Sequence, residues 1–319
     1  MRHPKTKALR LTALVAGLAL AAAGCGGDDG GSGGGGGLSG ASFTVGSKEF
    51  TEQLILGQMA IMVLEDAGAE VTDETGIVGT DTVRTALTSG EIDMYWEYTG
   101  TGYTSHLGHE ATAAPPEPKQ LYDQVAKEDL QKNQIKWFAL SPLNNTYAIA
   151  TTAARADELG VHSLSEYAEL TNGDPGAGSL CAATEFLTRS DGWPGVEKEY
   201  GFDLPTSQIS EVDLGIVFTQ VPPGDRCNFG EVFSTDGRIA ANDMTVLEDD
   251  KDFFVKYNLA MTTTKQLYDK YPQLDKLFTP IAKALTTEEM QKLNAQVDAE
   301  GLPPEQVAQT WLEDKGFIG

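Results

Sequence analysis

Apolar and polar positions along the chain switch repeatedly between a period of two and a period near 3.6. Residues 42–46 (SFTVG) alternate as a short strand. Leu54, Met59, Met62 and Val63 then recur at helical spacing, and Gly68 stops that segment. A second strand is expected over 69–75, a short helix over 80–90 opened by Thr80 or Asp81, and a third strand over 92–96. This strand–helix rhythm predicts a βαβαβ unit with a parallel sheet, whose ligand loops lie beyond the carboxyl ends of the strands. A proline- and alanine-rich break at 111–118 precedes the amphipathic segment LYDQVAKEDLQKN, followed by the extended runs IKWFAL and NTYAIAT.

A second lobe is expected to begin near Tyr147. It runs through a helix at 164–170, the loop NGDPGAGS, a helix after Cys181 and the loop VPPGDRC, and its last strand ends near Val246. From Thr262 the pattern is helical to the end. Thr286 and Glu289 fit a capping box, Pro304 suits a first helical turn, and Gly316 suits a helix stop.

The N-terminus carries processing signals rather than fold. A basic head (MRHPKTKALR), a short apolar core and small residues before Cys25 read as a secretory signal over 1–24. The core is too short to span a bilayer comfortably. The AAG before Cys25 resembles a bacterial lipoprotein processing site, with Ala22 where leucine is commoner. On that reading Cys25 is lipidated and anchors the protein to the cell membrane from outside, and the glycine-dominated stretch 25–41 is a flexible tether. The other reading is a secreted protein cleaved nearby, with Cys25 incidental.

Charge narrows the partners. Acidic residues number 47 against 23 basic ones, so a nucleic-acid partner is not expected. The two remaining cysteines, Cys181 and Cys227, form an even pair in an exported chain and read as a disulfide. HLGH lacks an acidic or cysteine partner at a metal-binding spacing, and His106 and His109 read as surface histidines. No metal or cofactor is expected.

The stretch WEYTGTG (96–102) raises a sharper question. A phosphate loop would need a Gly-Lys-Ser/Thr and a helix behind the glycines, and no such lysine follows. The glycines are expected to let the chain turn sharply at a strand end. No GxSxG or HExxH occurs, and no histidine has an obvious nucleophile partner, so catalysis has no positive support. What recurs is an aromatic residue beside short polar ones: EYTGTG, NNTYA, EVFSTDGR and KYN. Any one such ring is ordinary packing. Several together can box a quaternary ammonium, which offers no N–H, each ring face contributing ~0.5–2 kcal/mol.

Six ordered blocks carry a resemblance: GSKEFTEQLILGQ, VGTDTVRTALTSGEID, EYTGT, NNTYA, STDGRIAANDMTVLEDDKDFF and LNAQVDAEG. Together they are similar to the glycine betaine/choline-type (quaternary amine) substrate-binding proteins of ABC importers, from about Phe43 to Phe317. The resemblance implies an α/β, two-lobed periplasmic-binding-protein fold (type II), each lobe a mostly parallel sheet flanked by helices. Lobe 1 would comprise 42–145 and 251–319, and lobe 2 would comprise 146–250. It implies an aromatic box at Tyr98, Tyr147, Phe233 and Tyr257, and a carboxylate end at Lys48, Thr101 and Arg189. Lys48 reads as a lysine at a helix start, unfavourable beside the helix dipole unless it serves an anion. Arg238 is expected to brace Asp236 rather than touch ligand.

Two departures from the family pattern stand out. Phe233 sits where tyrosine is common, and the segment leading to it carries Cys227 and an extra residue. The partners implied are a small quaternary amine, the permease subunits and, through lipid, the membrane, with the protein a monomer. The alternatives are a binding protein for another small polar solute, amino-acid-like or polyamine, and an envelope protein or enzyme on the same lobes. An enzyme would line the cleft with a nucleophile and its base; a structural protein would fill it.

Overall fold

The computed structural model describes residues 37–319, and the expected signal segment, Cys25 and most of the tether lie outside the described residues. Ten strands form two five-stranded sheets. The first holds β1 (Ser42–Lys48), β2 (Glu70–Ile77), β3 (Met94–Tyr98), β4 (Ile135–Phe138) and β10 (Leu259–Thr264), in the order β2-β1-β3-β10-β4. The second holds β5 (Tyr147–Thr152), β6 (Leu180–Ala182), β7 (Ile209–Glu211), β8 (Phe229–Phe233) and β9 (Met244–Val246), in the order β7-β6-β8-β5-β9.

Each sheet has one strand against the grain. β1 runs parallel to β2 and β3, whereas β10 is antiparallel to both β3 and β4. Likewise β6 runs parallel to β7 and β8, whereas β5 is antiparallel to β8 and β9. β5 and β10 are the strands that carry the chain from one half to the other, which is the two-crossover, type II arrangement. Their local sequences match: YAIATT and LAMTTT each end in a threonine whose hydroxyl accepts a backbone N–H of the following helix, Thr152 from Arg155 and Thr264 from Leu267.

The segments entering these strands are laced together. Asn144 and Asn258 form an antiparallel bridge, the Tyr257 N–H donates to Asn144 Oδ1 (2.7 Å), and the Asn145 N–H donates to the Tyr257 carbonyl (3.1 Å). The main apolar core runs through both halves, and a smaller cluster in the second half surrounds the disulfide joining Cys181 and Cys227.

Several local expectations are corrected. The ordered domain begins before residue 42, because Leu38 is only 1 % exposed and its N–H donates to the Ala67 carbonyl; an apolar side chain with a place to pack does not behave as tether. Thr286 caps the helix Thr287–Asp298, but Glu289 does not complete a box, since it accepts from Trp311 Nε1 (2.8 Å) instead. The full capping box lies at Ser163 and Glu166. Lys48 ends β1 rather than opening a helix, and the helix Thr51–Asp66 starts three residues later. His106 is buried against Glu97 rather than at the surface. Among the described residues no helix is long and apolar enough to cross a membrane.

Candidate functional site

A cleft of about 690 Å³ lies between the two sheets, lined by residues of both halves. Strand ends build it. β3 delivers Tyr98 as its last residue, β5 delivers Tyr147 as its first, and β8 delivers Phe233 as its last. Tyr147 and Phe233 are direct partners in the antiparallel register. Tyr257 sits two residues before β10, in the laced crossing segment. All four line the cleft, as do Lys48, Thr101 and Arg189.

The rings form a continuous arc. Tyr257 packs edge-on against Tyr147 (5.7 Å between centroids), Tyr147 against Phe233 (5.4 Å), and Phe233 against Phe50 (5.0 Å). Phe50 then stacks with Tyr98 at 6.4 Å. Phe50 is a fifth ring that the sequence reasoning missed. Its signal was its place inside GSKEFTEQ, just ahead of the helix, where an apolar residue reads as a helix-entry contact.

The arc is held by hydroxyl contacts behind it. Tyr98 donates to Glu52 Oε1 (2.6 Å) and accepts from Gln53 Nε2 (3.0 Å). Glu52 also accepts from Asn145 Nδ2 (2.9 Å) and from Thr235 Oγ1 (2.6 Å), so it ties the ring wall to a crossing segment and to the second half. Burial raises its carboxyl above the ordinary range, although these three hydrogen bonds and a fourth from Asn294 Nδ2 (3.3 Å) oppose the shift. Tyr257 donates to Asp191 Oδ2 (2.7 Å), which also accepts from Thr104 Oγ1 (2.6 Å).

The glycines of WEYTGTG do something other than turn the chain. Gly100 lies in a helical turn, Thr99–Thr101, with ordinary right-handed geometry. A β-carbon there would fall 2.6 Å from the Tyr257 ring, and one at Gly102 would fall 2.7 Å from Trp137 and Val125. Glycine is required by close approach, and Gly100 makes room for a ring of the arc.

The carboxylate end is not a set of free cations. Lys48 Nζ donates to the fully buried Glu97 (2.8 Å), whose other oxygen contacts His106 Nε2 (3.0 Å). Burial pushes the Glu97 carboxyl up, but the Lys48 charge and the His106 contact outweigh it and hold it well below the carboxylate range. Arg189 Nε donates to Asp191 Oδ1 (2.8 Å), Nη2 to Asp191 Oδ2 (2.5 Å), and Nη1 to Glu185 Oε1 (2.9 Å). Its guanidinium carbon lies 5.8 Å from the Tyr147 ring centroid. Thr101 lines the cleft with a hydroxyl that makes no side-chain hydrogen bond to another described residue. Arg238 braces Asp236 with two hydrogen bonds (2.9 and 2.6 Å) and stacks on Phe218.

Glu231 completes the wall. It is buried on β8, accepts only the Ala183 N–H (2.7 Å) among the described residues, and faces the cleft. Burial pushes its carboxyl up to about 8. Sequence reasoning did not single it out, because a lone glutamate in a strand carries no pattern.

Residues 41–314 match the family described as the substrate binding domain of ABC-type glycine betaine transport systems. The chain is 33 % identical over 281 residues to a glycine-betaine-binding protein of Pseudomonas aeruginosa, covering 86 % of this chain and 88 % of that one. It is 32 % identical over 277 residues to the glycine betaine-binding protein YehZ of Escherichia coli, covering 86 % and 90 %. A solved glycine betaine/carnitine/choline ABC transporter protein superposes with a TM-score of 0.69 at 26 % identity, covering 87 % of this chain and all of that one.

Proposed function

The chain belongs to the family of substrate-binding domains of ABC-type glycine betaine transport systems, and on that premise we propose that it captures a quaternary amine, glycine betaine or a relative, between its two halves and delivers it to a permease. It is the solute-binding component of an importer and acts outside the cytoplasm; no bond is made or broken. In this reading lipidated Cys25 holds it at the membrane, residues 38–145 with 251–319 and residues 146–250 are the two closing lobes, and the protein works as a monomer.

The observation that carries the reading is the arc of five rings, with members from both halves. A trimethylammonium has no donor for a hydrogen bond, so ring faces are the chemistry that can hold it, at ~0.5–2 kcal/mol each and more when dry. Because Tyr147 and Phe233 come from one half and Phe50 and Tyr98 from the other, full enclosure needs the halves together, and hinge closure couples naturally to binding. Thr101 supplies a hydroxyl to the polar end of the ligand.

Calorimetric titration with tetramethylammonium, choline and glycine betaine tests this. Saturable binding is expected, and Tyr147→Ala should weaken it by tenfold or more, from about 2 kcal/mol of ring contact. Saturation by a primary amine or an amino acid, with no response to any quaternary amine, refutes the reading.

A further inference from the structure

We propose that Glu185 occupies the carboxylate subsite of the cleft, so that the protein prefers a quaternary ammonium cation lacking a carboxylate, such as choline, to a zwitterionic betaine. This rests on the quaternary-amine reading above and deepens it.

A bound carboxylate is ordinarily met by a guanidinium, by helix N-terminal N–H groups and by hydroxyls. Glu185 already has each of these. Its Oε1 accepts from Arg189 Nη1 (2.9 Å) and from Thr80 Oγ1 (2.6 Å), and its Oε2 accepts the Thr80 N–H (3.4 Å). Thr80 opens the ten-residue helix Thr80–Ser89 on the opposite half, so the carboxylate sits at that helix's positive end. Burial works against its charge, but the Lys48 ammonium, Thr80 and Arg189 together hold its carboxyl below the ordinary value. Arg189 in turn lies beside the arc, over Tyr147. The protein has thus supplied its own anion at the place next to the ring wall where a betaine's carboxylate would go.

The remaining cations offer no substitute. Lys48 is paired with Glu97, and Arg238 with Asp236. Among the cleft-lining residues seven are acidic (Glu49, Glu52, Glu185, Asp213, Glu231, Asp236 and Asp298) against three basic. Even with Glu52, Glu231 and Asp298 set aside as held up by burial, four acids remain against three bases. A monovalent cation gains from that field, whereas a zwitterion gains at one end and loses at the other. For a betaine to reach Arg189, Glu185 must swing away. Its side chain is 36 % exposed and so has room to do this, but it gives up the Thr80 and Arg189 bonds.

The test is competitive calorimetry on the full chain with tetramethylammonium, choline and glycine betaine. The wild-type protein is expected to bind choline about tenfold more tightly than glycine betaine, and Glu185→Gln to reverse the order, with glycine betaine gaining roughly tenfold. Glu185→Asp keeps the charge and should keep the choline preference. Raising ionic strength should weaken choline and leave glycine betaine nearly unchanged, a measurement that needs no variant. Tighter binding of glycine betaine by the wild-type protein, or an unchanged ratio in a folded Glu185→Gln protein, overturns the inference while leaving the quaternary-amine reading intact. Failure of all three, tetramethylammonium included, overturns that reading itself.

Discussion

Replacing Gly100 by alanine adds one methyl group behind the ring arc and touches no ligand. Its β-carbon would come within 2.6 Å of Cδ1 and Cε1 of Tyr257 and 2.9 Å of Cγ. Carbon pairs settle at about 3.5–4.0 Å, so the ring must retreat by roughly 1 Å. Tyr257 is poorly placed to do so. Its hydroxyl is bonded to Asp191, its edge lies against Tyr147, and its backbone N–H is tied to Asn144. Overpacking of this kind costs about 1–3 kcal/mol, and the better helix propensity of alanine returns about 1 kcal/mol. The net loss of stability should therefore be at most about 2 kcal/mol, a melting shift of a few degrees at about 2–4 °C per kcal/mol. Binding should suffer more. Losing the fit of one desolvated ring face, worth about 2 kcal/mol, lowers affinity for tetramethylammonium by roughly thirtyfold. Calorimetry gives the affinity and a thermal melt the stability. Gly173→Ala, at a helix end with open space around its β-position, should change neither. A Gly100→Ala protein that binds within twofold of wild type would show that the ring arc is not the binding wall, or that Tyr257 is not part of it.

Reduction of the disulfide, or Cys181→Ser with Cys227→Ser, removes a link that closes 46 residues. Chain entropy assigns such a loop about 4 kcal/mol, so the melting midpoint should fall by roughly 10 °C; an unchanged midpoint under reductant would count against a formed bond. The Glu231 carboxyl, normally near 4.5, is pushed up to about 8 in the folded protein. The folded state therefore retains a proton that the unfolded chain has already released, and this group lowers stability progressively as pH rises from about 4.5 to about 8. Glu231→Gln, which cannot ionise, should melt progressively higher relative to wild type across that window and hold a constant advantage above it. Parallel melting curves from pH 5 to pH 8 would refute the assignment.

The features legible in the sequence were those fixed within a few residues. The Gly316 stop, the Pro304 start and the Thr286 cap depend on neighbours three or four positions away, and they stand where the local pattern put them. The sequence pattern alone shows only aromatic residues beside short polar ones; it is the family resemblance that assigns Tyr98, Tyr147, Phe233 and Tyr257 to one wall. What was not legible depended on partners far along the chain. Glu289 leaves its capping role for Trp311, 22 residues on. Gly100 looks like a turn glycine until Tyr257, 157 positions later, is seen to lie against it.

The carboxylate end shows why residue type is weaker evidence than residue environment. A lysine and an arginine at family positions imply two vacant positive charges, and therefore an anionic group on the ligand. In the folded chain each charge is already answered: Lys48 by Glu97, 49 positions away, and Arg189 by Asp191 and Glu185, two and four positions away. The arginine's partners were local enough to be seen, since EFLTRSD sets acids on both sides of Arg189. A cation paired inside a low-dielectric wall contributes little outward field, because its partner cancels it at the distance of a ligand. What the cleft presents is the sum over the wall, and that sum is negative. The rings and the net charge then ask for the same thing, a cation without N–H groups, whereas the identity of Lys48 and Arg189 alone asks for an anion. Of the two, the arrangement that includes the partners is the physical one.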